Sequence, residues 1–254
     1  MQTQDLIGTG FHDLRAALGL LTRLPVQVDP ARITARQAEI VWAFPLVGAL
    51  VGGMGGLVCL LLVQLGTTAA FAATLGLALM VLLTGAMHED GLADTADGLG
   101  PLATRERRLE IMRDSRIGSF GALALILAML ARWSGMTAFD GWMLVLAPMA
   151  AGAMSRSAMA WVGFRLPQAR TDGMAARMGR PSRAAMILAL ALGLLFCTLA
   201  AGVFGLVVFA VALVSVLPIS YLARRLIGGQ TGDILGAVQQ CGEIAVLGAM
   251  IVLV

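Results

Sequence analysis

The sequence has no lysine, few charges and only three cysteines. All 18 basic residues are arginine, and charged residues make up 13% of the 254 positions, about half of their usual share in soluble domains. Cys59, Cys197 and Cys241 are isolated in apolar stretches without metal-ligand spacing, which argues against a zinc site and favours small core residues. With 59% hydrophobic residues and a mean hydropathy of +0.87, the chain is predicted to be embedded in a membrane.

Long apolar runs predict a polytopic helix bundle. A transmembrane helix needs about 20 apolar residues, and such runs occur at residues 40–64, 69–87, 119–135, 142–163, 184–221 and 234–254. The fifth run is too long for one span and has a break between Gly202 and Gly205, so we expect two helices there. The predicted fold class is all-α, one membrane-embedded domain over residues 1–254 with about seven transmembrane helices.

The N-terminal segment and the arginines set the expected topology. Residues 1–38 show no readable cleaved signal peptide; instead Phe11, Leu14, Leu18 and Leu21 recur at near-helical spacing, which predicts a short interfacial helix. Sixteen arginines fall in this segment and in the loops near 88–118, 164–183 and 222–232. Seven spans put all four regions on one side, which the positive-inside rule makes the cytoplasmic side. The pI near 9.2 therefore needs no nucleic-acid partner.

An acidic block follows the second apolar run and is the strongest candidate site. It reads His88-Glu89-Asp90-Gly91-Leu92-Ala93-Asp94-Thr95-Ala96-Asp97-Gly98, with four carboxylates in nine residues. On a helix Asp94 and Asp97 lie about 40° and 20° from Asp90, so the three carboxylates share a face and would repel one another without a cation. Oxygen ligands without cysteine favour Mg²⁺ or Mn²⁺. Glu89 points about 100° away, where it either supports the ligands or is solvated. The alternative is a solvated acidic loop.

A second motif combines arginines with a carboxylate before the third span. Thr104 is a plausible N-cap of a short surface helix, after which Arg113 and Arg116 flank Asp114. Arginine forks bind phosphate oxygens in pairs, and a carboxylate beside them could take a proton from an attacking hydroxyl. Local pairing of Glu110 with Arg113 on a solvated helix is the alternative.

Two further stretches carry polar residues into apolar surroundings. Arg156 lies within the fourth span and should face the bundle interior and an anion or an acid, while the outer-loop arginines, Arg170 among them, could reflect topology alone. Thr231-Gly232-Asp233 opens the last span, which also holds Gln239, Gln240 and Glu243. Asp233 suggests a metal or hydroxyl contact there; a glycine-rich turn with Asp233 as N-cap is the alternative.

Taken together, these residues resemble the cobalamin synthase family, the adenosylcobinamide-GDP ribazoletransferases, which are integral membrane enzymes of late vitamin B12 assembly. The similarity covers nearly the whole chain, and the acidic block together with Asp114-Ser115-Arg116-Ile117-Gly118 is its most specific part. The other matching segments are Leu21-Thr22-Arg23-Leu24-Pro25, Phe44-Pro45-Leu46-Val47-Gly48, Met112-Arg113, Pro167-Gln168-Ala169-Arg170 with Gly173, and Thr231-Gly232-Asp233 with Gly236-Ala237.

The resemblance implies a Mg²⁺-dependent reaction. Adenosylcobinamide phosphate passes from adenosylcobinamide-GDP to the ribose 5′-hydroxyl of α-ribazole, or to α-ribazole 5′-phosphate, and GMP is released. Residue chemistry rather than the resemblance assigns the roles. We expect metal binding by Asp90, Asp94 and Asp97 with Asp233, pyrophosphate clamps from Arg113, Arg116 and Arg170, and a base at Asp114 or Glu89. Further substrate contacts are expected from His88, Ser115, Arg156, Thr231, Gln240 and Glu243.

Two alternatives have weaker support. A CDP-alcohol phosphotransferase carries an Asp-Gly-x-x-Ala-Arg cluster, but this chain departs from that pattern after Ala93, with Asp94 next and Asp97 only three residues later. An ion-coupled transporter would need acids near the bilayer midplane and related halves, whereas these acids cluster at one interface. Membrane lipids are expected partners, and self-association into a homo-oligomer is left open.

Overall fold

The computed structural model describes residues 3–27 and 36–254, which are almost entirely helical. Within them the pairing of extended backbone is limited to a bridge between Gln168 and Gln230. The α-helices of the described residues are α1 (Thr3–Leu21), α2 (Phe44–Gln64), α3 (Ala69–Thr84), α4 (Met87–Leu99), α5 (Arg105–Ile111), α6 (Ser119–Thr137), α7 (Met143–Arg165), α8 (Met174–Met178), α9 (Arg183–Ala201), α10 (Gly205–Ser215), α11 (Leu217–Leu226) and α12 (Gly232–Leu253). Short 3₁₀ helices precede α2 and α10 at Glu39–Ala43 and Gly202–Phe204. The all-α prediction is confirmed.

Several helices are long and apolar enough to cross a membrane. Within the described residues they are Glu39–Gln64, Ser119–Thr137, Met143–Arg165, Arg183–Leu226 and Gly232–Leu253, with α3 and α4 together as a sixth candidate. The chain is therefore a multi-pass membrane protein. The predicted N-terminal helix exists as α1, and its position at the membrane interface stays a prediction.

The stretch Arg183–Leu226 is a hairpin rather than one span. It has 44 residues, about twice what a single crossing needs. The backbone of Gly202 has a φ of +54°, and a Cβ atom on Gly205 would lie 2.5 Å from the Cα atom of Thr198. Such proximity over seven residues requires the chain to reverse, so α10 packs back against α9. Within the described residues the candidate spans number five, or six with the bent pair α3 and α4. The predicted count of about seven is reached only if this hairpin crosses the membrane twice.

The second apolar run differs from its predicted form. We expected a span over residues 69–87, but α3 ends at Thr84 because Gly85 and Ala86 take φ values of +63° and +58°. These left-handed residues break the hydrogen-bond ladder, and α4 then leaves at 85° to α3. The acidic block thus forms a separate helix whose direction is fixed by the break.

The centre of the bundle is built by close approach of α2 and α7. A Cβ atom on Gly48 would lie 1.9 Å from the carbonyl oxygen of Gly152, and one on Gly52 would lie 2.0 Å from that of Pro148. Small residues spaced four apart let two backbones touch. Helices in a membrane associate through such close packing, because the hydrophobic effect does not drive them together in lipid. α7 is buried along most of its length and also packs against α9 and α12.

The arginine-rich loops meet at one end of this bundle. Arg105 donates from Nε to the carbonyl oxygen of Ile227 at 2.9 Å and from Nη2 to that of Ala169 at 3.0 Å. The hydroxyl of Ser182 donates to Glu39 Oε2 at 2.7 Å. These bonds join the loops before α5, after α7 and after α11 to the segment before α2, as the topology prediction requires.

Candidate active site

The acidic helix α4 crosses α12 at two glycines. A Cβ atom on Gly91 would lie 2.9 Å from the carbonyl oxygen of Asp233, and one on Gly236 would lie 3.2 Å from the Cα atom of Gly91. Only residues without side chains permit this contact of two backbones. The crossing brings Asp233 beside the acidic block, as the sequence predicted for a shared site.

Two aspartates of α4 have free carboxylates. Asp90 is exposed and Asp94 half-buried, and within the described residues neither side chain accepts a hydrogen bond. Asp94 is repelled by the charges of Asp90, Asp233 and Asp97 and attracted by that of Arg170. The shared face predicted for Asp90, Asp94 and Asp97 is therefore present, and its negative charge is only partly balanced.

Asp97 has a different role in the fold. Its Oδ2 accepts from the backbone N–H of Gly118 at 2.7 Å, and its Oδ1 accepts from that of Gly121 at 2.9 Å. Gly118 is the N-cap residue of α6 and Gly121 belongs to its first turn, whose N–H groups have no partner within the helix. Asp97 thus caps α6 from a neighbouring helix.

Asp233 and Arg170 begin a chain of ion pairs that reaches the second motif. Arg170 Nη2 lies 3.1 Å from Asp233 Oδ2, and Arg170 Nε lies 4.0 Å from Asp172 Oδ1. Asp172 in turn accepts from Arg113 Nη2 at 2.6 Å and 2.8 Å. Two of the three predicted clamps, Arg113 and Arg170, are therefore linked. Thr231 donates to Asp233 Oδ2 at 3.1 Å and caps α12 by accepting from the N–H of Ile234.

The remaining clamp pairs with the candidate base. Arg116 donates from Nη2 to Asp114 Oδ2 at 2.7 Å and from Nε to Asp114 Oδ1 at 3.0 Å. These side-chain bonds, with a backbone bond from Arg116, lower the pKa of Asp114 to about 2. Arg116 and the neighbouring Ser115 are exposed, so this loop is accessible to a ligand.

A buried polar network lies beneath the carboxylate face. Glu89 is 7% exposed, so it is not solvated, and its Oε1 accepts from Arg132 Nη1 at 2.6 Å and from Gln240 Nε2 at 3.0 Å. Arg132 also donates to Glu243 Oε1 at 3.1 Å, and Gln239 donates to the same carboxylate. The network ties α4 to α6 and α12.

Arg156 and His88 complete this interior. The Arg156 guanidinium faces inward as predicted, donates to the carbonyl oxygen of Gly152 at 3.2 Å and interacts electrostatically with Glu243 and Glu89. Two carboxylates therefore balance two guanidiniums inside the bundle. The Nε2 atom of His88 is buried and has no partner among the described residues. A cavity of about 10 Å³ remains between these groups, about the room that one water molecule needs.

Sequence reasoning missed two of the residues that organise this region. Arg132 carries the buried network, and its signal was the one that singled out Arg156, an arginine within an apolar span. Asp172 joins two of the predicted clamps, and no spacing in the sequence indicates that pairing. Among the predicted residues, the structure brings together Asp90, Asp94, Asp233 and Arg170, and places Glu89, Arg156, Gln240 and Glu243 in the interior instead.

The free carboxylates of α4 suit a Mg²⁺ site that the protein provides only in part. Within residues 3–27 and 36–254 no three His, Cys, Asp or Glu side chains lie together so as to hold a metal ion. Asp97 and Asp233 already have partners, whereas the carboxylates of Asp90 and Asp94 are free. Proteins commonly hold Mg²⁺ by one or two carboxylates together with water and substrate phosphate oxygens. The residues therefore fit a Mg²⁺ site that a phosphorylated substrate completes, rather than a closed protein cage.

Comparisons with known proteins identify the family. The family model CobS, described as Cobalamin-5-phosphate synthase, matches residues 13–251. Similar proteins named adenosylcobinamide-GDP ribazoletransferase occur in Bradyrhizobium diazoefficiens, with 47% identity over 92% of this chain and 91% of the relative, and in Azorhizobium caulinodans, with 43% identity over 92% and 93%. A relative of the same name from Rhizobium etli is 43% identical over 94% of this chain and 95% of its own. No solved structure gives a significant match. The chain belongs to the cobalamin-5-phosphate synthase family.

Proposed function

We propose that this chain is an adenosylcobinamide-GDP ribazoletransferase. It transfers adenosylcobinamide phosphate from adenosylcobinamide-GDP to α-ribazole or α-ribazole 5′-phosphate and releases GMP. Family membership supports the identity of the substrates. The observation that carries the chemistry is the crossing at Gly91 and Gly236, which places the free carboxylates of α4 beside Asp233 and Arg170. Neither the phosphotransferase nor the transporter alternative is favoured by the relatives.

The acceptor oxygen follows from substrate chemistry. The sequence prediction named the 5′-hydroxyl, which α-ribazole has but its 5′-phosphate lacks. The family description names a 5-phosphate product, in which that position keeps its phosphate. We therefore assign the attack to a secondary ribose hydroxyl, which both acceptors carry. This replaces the predicted 5′-hydroxyl.

The transfer forms one bond to phosphorus and breaks another. The ribose oxygen binds the phosphorus on the cobinamide side, the phosphoanhydride bond to GMP breaks, and GMP leaves with the bridging oxygen. Arg113, Arg116 and Arg170 hold the phosphates, because phosphate oxygens accept the same charge-assisted bonds that carboxylates accept from these arginines here. Mg²⁺ bound at Asp90 and Asp94 would neutralise the phosphate charge and polarise the reacting phosphoryl group.

The proton of the hydroxyl goes to Asp114 in this proposal. Asp114 lies on the accessible loop, whereas the other predicted base, Glu89, is buried against Arg132. Its bonds to Arg116 keep the pKa of Asp114 low, and a phosphate that takes Arg116 removes them. The basicity of Asp114 then rises when the substrate is in place.

The other predicted substrate contacts differ in accessibility. Ser115 is exposed beside the clamps and Thr231 lies against Asp233. Arg156, Gln240 and Glu243 are buried in the network, and their contact with substrate stays a prediction.

We also propose the location of the enzyme. The arginine-rich end that holds the site faces the cytoplasm from a bacterial inner membrane, as the positive-inside rule indicates. Lipids surround the exposed apolar faces of α6, α9 and α10. Self-association stays open.

Product analysis tests the proposal. The protein, purified and reconstituted in lipid, is incubated with adenosylcobinamide-GDP, α-ribazole or its 5′-phosphate, and Mg²⁺, and then with a chelator in place of Mg²⁺. We expect equal amounts of cobamide and GMP, with the 5′-phosphate retained, and no product with the chelator. GMP release without cobamide would indicate hydrolysis and contradict the assignment.

A further inference from the structure

A cleft between α1 and α8 opens beside the candidate active site. It has a volume of about 340 Å³, at the small end of the usual range for ligand pockets, about 300 to 1,000 Å³. Its wall is apolar except for Gln37 and Arg177, and its other lining residues are Ala16, Gly19, Leu20, Ile40, Met174 and Met178. Methionine side chains adapt their shape and favour aromatic contacts, so this wall suits a flat apolar ring.

The cleft continues toward the carboxylate face. A smaller cavity of about 50 Å³ shares Leu20, Met174 and Met178 with it and extends to Gly232 and Gly236. These two glycines flank Asp233 at the start of α12. A ligand whose ring fills the cleft can therefore extend its attached groups to the start of α12, the helix that carries Asp233.

An unpartnered histidine lies on the same path. His88 lines the smaller cavity and is 2% exposed, and its Nε2 atom has no hydrogen-bond partner among the described residues. A buried polar atom without a partner is costly, and a ligand atom in the cavity would provide one. This feature is independent of the cleft, and a polar ring atom of a ligand in the smaller cavity would satisfy it.

From these observations we propose that the cleft binds the heteroaromatic base of the nucleoside acceptor and that His88 hydrogen-bonds its free ring nitrogen. This inference rests on the proposed function, which supplies a benzimidazole-type nucleoside as acceptor. Such a base is a flat, largely apolar two-ring system with one free nitrogen. Guanine would bury several donors and acceptors against a wall that offers few partners, and a corrin ring with its side chains exceeds the volume.

Binding of the nucleoside alone tests the cleft separately from catalysis. The dissociation constant of α-ribazole is measured for the lipid-reconstituted protein without the GDP-activated substrate. Met174→Trp fills the cleft and should weaken α-ribazole binding at least tenfold, while the matched variant Met174→Leu, which keeps the volume and the apolar wall, stays within twofold. Both variants should bind adenosylcobinamide-GDP as the wild-type protein does.

An analogue tests the histidine without changing the protein. The corresponding indole riboside, which replaces the free ring nitrogen by C–H, should bind at least tenfold more weakly than the benzimidazole riboside. Equal binding of the two ribosides, or unchanged α-ribazole binding in Met174→Trp, would overturn the cleft even if the wild-type protein forms cobamide. If the wild-type protein forms no cobamide, the proposed function fails, and α-ribazole binding that Met174→Trp abolishes would still support the cleft.

Discussion

At the scale of single residues, carboxylates that look alike in the sequence have different surroundings. Both carboxylate oxygens of Asp97 accept hydrogen bonds from the backbone at the start of α6. Asp90 and Asp94 lie on the same face and accept no hydrogen bond within the described residues. Helical periodicity predicts that the three share a face, but it cannot indicate which of them another helix will occupy. That distinction depends on the position of Gly118 and Gly121, more than 20 residues away in the chain.

The free pair leads to the first prediction. Asp90→Asn or Asp94→Asn should lower turnover by about 100-fold or more, because losses of this size follow when a metal site is disturbed. The protein should stay folded, since neither carboxylate bonds to any other residue that the structure describes. Initial rates over a Mg²⁺ titration, with circular dichroism as a check on folding, measure this. Asp140→Asn, at the opposite end of the bundle, is the control and should keep full activity.

Asp114 and Arg116 lead to the second prediction. Asp114→Asn should lower kcat by about 100-fold or more, the usual contribution of a general base, and leave the KM for adenosylcobinamide-GDP within about threefold. Arg116→Lys keeps the charge but loses the planar fork, so it should mainly raise that KM. Steady-state kinetics separate the two. Full rate in Asp114→Asn would transfer the role of base to Glu89 or to metal-activated hydroxyl.

The same pair has a pH signature. Arg116 holds the pKa of Asp114 at about 2, so Asp114 stays ionised throughout the working pH range. Replacing Arg116 with Gln removes the bonds that favour the ionised form, and the pKa of Asp114 should rise toward its ordinary value of about 3.9. The acid limb of the kcat/KM profile should therefore move to higher pH in Arg116→Gln.

At the scale of elements, α4 is held at both ends by arginines. Arg132 donates a hydrogen bond to Glu89 near the start of α4. Arg108 donates to the carbonyl oxygens of Gly98 and Leu99 at the end of α4. From the sequence, a helix is only one of two alternatives for the acidic block, the other being a solvated loop, and the structure has the helix. The sequence also predicts that Arg156 faces the interior. It does not predict the 85° turn between α3 and α4, because the left-handed conformation of Ala86 is set by tertiary packing and not by local propensity.

The buried network leads to the third prediction. Arg132→Met should destabilise the protein by about 3 to 5 kcal/mol, because it removes the hydrogen-bonded partner of Glu89 and Glu243 and leaves two buried carboxylates with Arg156 as their remaining counter-charge. Arg107→Met removes an exposed pair with Glu110, which is worth at most about 1 kcal/mol. Thermal unfolding of both variants in the same detergent measures the difference. Equal midpoints would show that the network does not stabilise the bundle.

The contact of α2 with α7 leads to the fourth prediction. A Cβ atom on Gly52 would lie 2.0 Å from the carbonyl oxygen of Pro148, whereas on neighbouring Gly53 the nearest atom, in Met149, is 3.9 Å away. Gly52→Ala should therefore push the helices apart and destabilise the protein by roughly 1 to 3 kcal/mol or more. Gly53→Ala should change stability little. Comparable unfolding midpoints would contradict the close packing.

At the scale of the whole molecule, the fold gathers distant loops at one end. The sequence predicts that these loops lie at the same end, because the apolar runs indicate the spans and the arginine positions indicate how the spans are oriented. It predicts the members of the carboxylate face from spacing. Two ion pairs cross the site, Asp172 with Arg113 and Asp233 with Arg170. Their partners are far apart in the chain, so no local sequence pattern predicts them.

Topology leads to the last prediction. In a background with the three native cysteines replaced, single cysteines at Leu102 and Asp172 should react with a membrane-impermeant thiol reagent only from the cytoplasm. A cysteine at Trp142 should react only from outside. All three positions are exposed, so access depends on sidedness. Leu102 and Asp172 must be labelled from the same side, because Arg113 pairs with Asp172 and Arg105 also hydrogen-bonds to the loop after α7. Labelling of Leu102 and Asp172 from opposite sides would place the clamps on opposite sides of the membrane and exclude a shared site. Labelling of both from outside would mean that the orientation is inverted, with the site intact.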